Sequence, residues 1–423
     1  IFPKTEKCKV RIGVDCTLIL HDSNSRNLAK YVINKNEDTE IVIPQNTNQF
    51  IVDTIGQVPV TTRTTFDIKA IYDTEFDRLD KYQEWLEYRK LSAILRNLNR
   101  TDIGDGNVPD KTYAPLVLAG LTDIHNDNFT ARKYVETCLK FKAYINEMIG
   151  LGDYVNGAIN DPEYNLDAIS GFGNMLKAIG NHDAYNTWPN TAIVDDATTY
   201  NKWIAPNVSK WGVNYQQGKC FYYKDYDSSH IRLIVLDYMH WDESNDANGQ
   251  KAWFNNVLIN NADSALNKGY HAVVVCHAPI MTQTTGKFVQ FDRCPFTQKD
   301  KEYTTGFNNN TIAEIVDSFQ NLGGNFICYL FGHLHRDMVG TYENYPKQIF
   351  IAQSCTSGMT DGNDTDWSTD APWALRFNLY SFDYKKKFIR VYQVGESIDR
   401  NMQQKKGMLI TYDTNVEGKL LNA

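Results

Sequence analysis

Five short motifs in this chain carry residue types that bind metal ions. Asp123-Ile124-His125 comes first, followed by Gly152-Asp153, Gly180-Asn181-His182-Asp183, Cys276-His277 and Gly332-His333-Leu334-His335. Nine histidines occur in 423 residues, and five of them fall in these motifs, which random placement would not produce. Each motif alone is ordinary. A D-x-H is a common surface turn, Gly-Asp a turn after a cap, Asn-His-Asp a capped loop, and a histidine before Ala278-Pro279 a satisfied core residue. Together they offer imidazole nitrogens, carboxylates and an amide oxygen, with no thiolate. That donor set suits first-row transition metals and points to Mn, Fe or Zn rather than Ca or a Mg-only site.

The motifs follow apolar runs. Leu116–Leu121 leads into Asp123, Met175–Ile179 into Gly180, Ala272–Cys276 into His277 and Phe326–Phe331 into Gly332, and Ile231–Leu236 is a further run of the same kind. Tyr134, Cys138, Phe141, Ile145 and Met148 fall on one face of a helix predicted over Ala131 to Ile149, which leads into Gly152-Asp153. Further helices are expected near Gly249–Leu258 and Thr311–Leu322. Alternating short strands and amphipathic helices predict an α/β layered fold with a buried sheet. In such a sheet the carboxyl ends of the strands line one crevice, so separate strand ends can converge on one ligand. Leu375–Phe382 and Phe388–Val394 flank a lysine-rich turn and predict a closing hairpin, and Gly407–Thr411 a last strand.

Residues 7 to 72 read differently, as short β-runs at Val10–Val14, Thr17–Leu20, Glu40–Ile43, Gln49–Val52 and Thr64–Tyr72, separated by polar turns. The expected organisation is a β-rich accessory or attachment domain over 1–74, a connecting helix over 75–98, a linker over 99–112 and a catalytic domain over 113–423. Composition is that of a folded protein: 42% apolar, 13% aromatic and 22% charged. No run approaches the ~18 apolar residues of a spanning helix. The formal net charge of −8 argues against a protein that tracks long nucleic acid, a local basic site aside, and leaves nucleic acid only as a small substrate. Eight dispersed cysteines form no C-x-x-C pair and no disulfide scaffold; Cys276 and Cys328 read as buried hydrophobes, and only Cys8 and Cys16 are candidates to pair. The chain begins at Ile1 rather than methionine, which reads as an N-terminal segment removed or left out. Compartment is open, with an extracellular, secreted or virion-associated setting favoured over the cytoplasm.

The ordered set of five motifs, spanning roughly 117 to 356, resembles the calcineurin-like metallophosphoesterase superfamily, and the closing hairpin with Gly395 and Asp399-Arg400 is similar to that family's C-terminal end. The resemblance implies an α/β fold, a layered β-sandwich flanked by helices, here preceded by the small β-rich domain and helix. It implies two divalent metal ions. Asp123, His125 and His335 would hold one, Asn181, His277 and His333 the other, and Asp153 would bridge both. It also implies a phosphoric ester hydrolase acting on a phosphodiester or phosphomonoester by in-line attack of a metal-bridging hydroxide. His182 would be the general acid, and Asp183 would orient it or raise its pKa. The purple acid phosphatase branch has a tyrosine three residues after the bridging aspartate. Asn156 stands there instead, so an iron(III)–tyrosinate centre is not expected.

The alcohol half of the substrate would be set by the insertions 156–172, 184–222, 280–310 and 356–373. Their aromatics, including Tyr185, Trp188, Trp203, Trp211 and Tyr215, read as loop packing or as surfaces that stack on a base or sugar. The polar short strands of the N-terminal region faintly resemble attachment modules of phage tail and virion proteins. On that reading residues 1–98 would join a larger assembly or a second copy of the chain. The alternative to an enzyme is a virion or cell-surface structural or binding protein that retains the fold, and the wider target a cell-wall phosphodiester polymer such as a teichoic acid.

Overall fold

The computed structural model describes residues 8–11, 16–21, 27–34, 37, 39–42, 49–54, 67–70, 91–101, 112–187, 192–244, 246, 249–281, 288–291, 307, 309–335, 337–353, 355, 376–394, 407–412 and 416–420. Contacts divide the chain into two units, Ile1–Leu91 and Ser92–Ala423.

In the first unit β1 (Cys8–Arg11), β4 (Thr39–Ile41) and β6 (Asp67–Ala70) make one antiparallel sheet, and β2 (Cys16–His21), β3 (Asn27–Ile33) and β5 (Gln49–Thr54) another. All but β3 coincide with runs read in the sequence. β3 escapes because apolar Val32 sits on its exposed face, at 65%, and breaks the alternation that would mark a half-buried strand. The side chains of Cys8 and Cys16 lie outside the described residues.

The expected helix over 75–98 is seen as helix over 91–98, with 71–90 outside the described residues. These last turns belong to the second unit rather than to a connector. Leu95 and Leu98 are buried, Ser381 donates to the Leu98 carbonyl at 2.6 Å, and the buried Arg390 donates to the carbonyls of Asn97 at 2.7 Å and Arg100 at 3.1 Å. A guanidinium taken out of water needs such acceptors. The contact division at 91/92 therefore lies upstream of the composition-based linker, of which 102–111 are outside the described residues.

The second unit is built on two sheets. The seven-stranded sheet runs β21 (Glu417–Leu420), β20 (Gly407–Thr411), β19 (Phe388–Val394), β18 (Phe377–Asp383), β7 (Leu116–Leu121), β8 (Glu147–Gly150), β9 (Leu176–Lys177). The eight-stranded sheet runs β10 (Asn214–Tyr215), β11 (Tyr222–Tyr226), β12 (Ile231–Val235), β13 (His271–Val275), β15 (Phe326–Phe331), β17 (Tyr345–Ala352), β16 (Met338–Tyr342), β14 (Phe288–Gln290). Each has a parallel part: β7, β8 and β9 at one edge of the first, and β12, β13, β15 and β17 in the middle of the second. The expected hairpin is β18–β19, paired Phe377↔Val394 through Asp383↔Phe388, and β20 extends it.

The sheets are joined by buried polar pairs. Tyr222 Oη donates to the Lys177 carbonyl at 3.0 Å and accepts from its N–H at 2.8 Å, and Gln353 donates to the Gly120 carbonyl at 2.9 Å. Helices cover the outer faces. α1 (Asn128–Lys140) starts where Asp127 accepts from Thr130 N, a good N-cap, and its Tyr134 hydroxyl donates to Ala119 on β7. α3 (Gln250–Asn255) and α4 (Asn310–Asn321) bury Phe254, Ile312, Val316 and Phe319 against the eight-stranded sheet. The second unit is thus a layered α/β sandwich with helices outside. Among the described residues no helix is long and apolar enough to cross a membrane.

One expectation needs correction. The helix read over Ala131 to Ile149 ends at Lys140, and Glu147–Gly150 is β8, parallel to β7. Ile145 and Met148 continue the helical spacing by coincidence. A short apolar run has no periodicity long enough to separate strand from helix. The consequence favours the site, because Asp153 now follows a strand end as the other motifs do.

Candidate metal centre

The site forms where five parallel strands end: β7 delivers Asp123 and His125, β8 Asp153, β9 Asn181 at the start of the short α2 (Asn181–Ala184), β13 His277, and β15 His333 and His335. Crossing strand ends alone would not aim these side chains. The backbone leaves the β region at them. Eight non-glycine residues among those described have positive φ, and five are Asp123 (50°), His125 (44°), Asp153 (56°), His333 (64°) and His335 (53°). Each such residue costs roughly 1–2 kcal/mol, so the surrounding structure must impose it.

It does so by zipping the loops together. Asp123 N donates to the Gly152 carbonyl at 3.0 Å, Ile124 N to Asp153 at 3.0 Å, and Asn126 N to Tyr154 at 3.0 Å. Gly332 N donates to the His277 carbonyl at 2.9 Å, and His333 N to the Asp123 carboxylate at 3.0 Å. Two glycines permit the approach. Gly152 has φ +105°, and a Cβ there would collide with the His277 ring; a Cβ at Gly332 would collide with Thr122 Oγ1.

The side chains then form two clusters linked by a third group. Asp123, His125 and His335 each offer a ligand atom within 4.8 Å of the others, and so do Asp153, His277 and His333. A third such group, His125, Asp153 and His182, puts Asp153 within reach of both clusters. His335 Nε2 lies 3.3 Å from Asp123 Oδ1 and 3.4 Å from His125 Nε2, and His277 Nε2 lies 3.1 Å from Asp153 Oδ2. Asn181 sits at the edge, its Oδ1 accepting from Tyr238 Oη at 3.0 Å. Six of the seven residues singled out in the sequence thus fall in these groups, and Asn181 is tied beside them through Tyr238, whose ring centroid lies 5.9 Å from that of His277.

Whether the donors fit a cation is answered by their unsatisfied atoms. His277 Nδ1 donates to the Leu151 carbonyl at 2.7 Å, which leaves the Nε2 lone pair facing the Asp153 carboxylate. His277 is fully buried, and Nε2 is out of line for a hydrogen bond and has no such partner; His125 Nδ1 is likewise buried without one. A lone pair opposed to a carboxylate is repulsive unless a positive charge lies between them. An imidazole whose other nitrogen is fixed on a backbone carbonyl is the usual setting of a metal-bound histidine. The residues fit a divalent cation.

Without a cation, protons take its place. Burial lowers His277, but the charge and proximity of Asp153 outweigh it and raise the ring to about 9. Burial likewise opposes charge on His335, yet Asp123 holds it above its ordinary value. His333 is pushed down to about 4 by burial and by charged His277, and burial lowers His125. Burial raises Asp123 and Asp153, but the surrounding imidazoles hold both below the ordinary carboxylate range. The pocket is electrically organised around an ionised pair of carboxylates.

His182 lies beside the cluster, its ring centroid 4.9 Å from that of His125. The group that orients it is the Asn156 carbonyl, which accepts from Nδ1 at 2.5 Å. This corrects the expectation for Asp183. Its carboxylate accepts the backbone N–H groups of Asp153, Tyr154 and Gly180, each at 2.8 Å, so both oxygens are spent on the loop that carries Asp153. Burial and the neighbouring Asp153 charge push Asp183 up to about 7 against those donors. Asp183 is a positioning residue for Asp153. Sequence reasoning missed Tyr238. Its signal was available, since Asp237-Tyr238 follows the apolar run Ile231–Leu236 and so lies at a sixth strand end. Trp188, most of 280–310 and all of 356–373 lie outside the described residues.

No family model matches the chain, and no curated protein matches it. Solved structures do. Purple acid phosphatase from yellow lupin (Lupinus luteus) seeds aligns at 11% identity with a TM-score of 0.42, covering 71% of this chain and 55% of that one, so this chain spans little more than half its length. A conserved uncharacterized protein, predicted phosphoesterase, from Streptococcus pneumoniae aligns at 11% identity and a TM-score of 0.29, covering 72% and 98%. Phosphopantetheinyl hydrolase from Mycobacterium tuberculosis aligns at 12% identity and 0.30, covering 57% and 90%. At such scores the likeness carries no argument, and the site stands on its own geometry.

Proposed function

We propose that the chain is a metal-dependent phosphoric ester hydrolase with a binuclear centre of Mn, Fe or Zn. The observation that supports this most is Asp153, a buried carboxylate shared by two imidazole-rich clusters. Asp123, His125 and His335 would hold one cation, Asn181, His277 and His333 the other, with Asp153 between. Such a pair, when bound, supplies Lewis-acid charge toward phosphate oxygens and lowers the pKa of an attacking water.

The chain's own residues do the rest. His182 Nδ1 is committed to the Asn156 carbonyl, so Nε2 is the nitrogen available to give a proton to the leaving alkoxide. Asp183 keeps the Asp153 loop in its left-handed turn. Tyr238 fixes the Asn181 amide with its oxygen toward the hydroxyl donor. Phosphomonoester and phosphodiester both suit this arrangement. Residues 1–98 would serve attachment or self-association, in an extracellular or virion-associated setting.

The test is metal content of the purified protein, followed by hydrolysis of p-nitrophenyl phosphate and bis-p-nitrophenyl phosphate with added manganese. About two metal equivalents and turnover of either ester are expected. Two equivalents with no turnover on any ester would instead favour a binding protein that retains the fold. Mass in solution of the whole chain tests self-association.

A further inference from the structure

Next to His182 the chain opens a cleft of about 320 Å³, lined by Asn156, Gly157, Asp161, Pro162, Glu163 and His182. The volume is at the small end for ligand sites. Its walls are fixed. Asn156, one lining residue, holds the His182 ring through its carbonyl. Asp161 accepts Gly157 N at 3.0 Å and Glu163 N at 2.9 Å, one on each oxygen, so its carboxylate is held in place by two amides. Pro162 stiffens the turn between them. Glu163 is exposed, and among the described residues its carboxylate has no hydrogen bond. The lining thus presents two carboxylates and no lysine or arginine.

A proton donor must touch the leaving oxygen, so the group attached to that oxygen lies on the side of His182. We propose that this cleft receives the leaving alcohol and selects one that carries an ammonium group, a small amino alcohol, over one that carries a carboxylate or second phosphate. The inference rests on the phosphoesterase reading above. Glu163 is the specificity residue, and Asp161 supplies the fixed second charge. Opposite charges a few ångströms apart at a protein surface change an equilibrium by about tenfold, and the sign reverses for an anionic group.

The experiment compares kcat/KM for phosphate esters of ethanolamine, glycerol and glycolate, each as monoester and as methyl diester, by release of the alcohol. The expected order is ethanolamine, then glycerol, then glycolate, with about tenfold or more between the extremes. That ratio should fall at least about threefold in Glu163→Gln and shrink in 0.5 M salt. Equal values for the three alcohols, or a preference untouched by both Glu163→Gln and salt, overturns this inference while leaving the hydrolase intact. No hydrolysis of any ester, p-nitrophenyl phosphates included, overturns both.

Discussion

Two corners of the second unit hold similar residues and differ in what they do with them. One is the cluster around Asp153. The other follows β12, where Asp196, Cys220 and Asp237 also bring ligand atoms within 4.8 Å of one another. There the charges satisfy each other. His240 donates from Nδ1 to Asp237 at 2.7 Å and from Nε2 to the Val194 carbonyl at 2.7 Å, and Lys219 pairs with Asp196 at 2.7 Å. Only Asp196 Oδ1 is buried without a hydrogen bond, and burial keeps the Cys220 thiol protonated by raising it well above its usual value. Two carboxylates face two cations, and the backbone is relaxed. Around Asp153 the lone pairs oppose carboxylates, and five residues are held left-handed. Residue type alone does not separate the corners; unsatisfied donors and an imposed backbone do.

The largest expected effect comes from removing the shared carboxylate. Asp153→Asn should lose bound metal and lower kcat by at least about a thousandfold, read by elemental analysis and ester hydrolysis. A metal equivalent that survives Asp153→Asn and Asp123→Asn together, and is lost when Asp237→Asn is added, would place a cation at the Asp196–Cys220–Asp237 corner and break the contrast. His182→Gln should lower kcat on an alkyl phosphate by about a hundredfold or more, but by much less on a p-nitrophenyl ester, whose leaving group needs no proton. Equal losses on both would remove His182 from proton transfer.

Asp183→Asn comes next. An amide cannot accept three backbone N–H groups as a carboxylate does, so chemical denaturation should show a loss of about 2–3 kcal/mol, together with weaker metal retention. A variant of normal stability and metal content would return Asp183 to the unexplained residues.

The smallest effect belongs to the balanced corner. Burial opposes charge on His240, but Asp237 wins and raises it from 6.5 to about 9. A pKa raised by folding stabilises fully below the unfolded value, and that contribution is lost as pH climbs through the folded one. Between about pH 6.5 and 9, stability should fall by about 1–2 kcal/mol once partial solvent screening is allowed for. Urea melts at the two ends, with and without His240→Gln, measure it, and the substitution should flatten the slope whether or not a chelator is present.

Much of this was legible beforehand because the informative residues sit at strand ends, where a short apolar run and the polar residue after it are both visible. Six of the seven side chains could be read that way, and Asp153 only from the Gly-Asp turn after a supposed helix. Asp183 could not, since its role depends on the 153–155 amides lying under it, a tertiary fact. β8 was hidden inside a helix-like spacing, and Tyr238 lacked the histidine or carboxylate that drew the eye elsewhere. The corner at Asp237 shows the converse, with residues of the right kind whose mutual neutralisation no sequence pattern announces.

The grip of Arg390 on the carbonyls of Asn97 and Arg100 has a practical bearing. Anyone trimming the gene to its second unit would be tempted to begin at the first strand of the sandwich, near residue 113. Doing so would strip a guanidinium only 2% exposed of two acceptors and uncover the groove that Leu95 and Leu98 fill. A cut upstream of Ser92 keeps that seam whole.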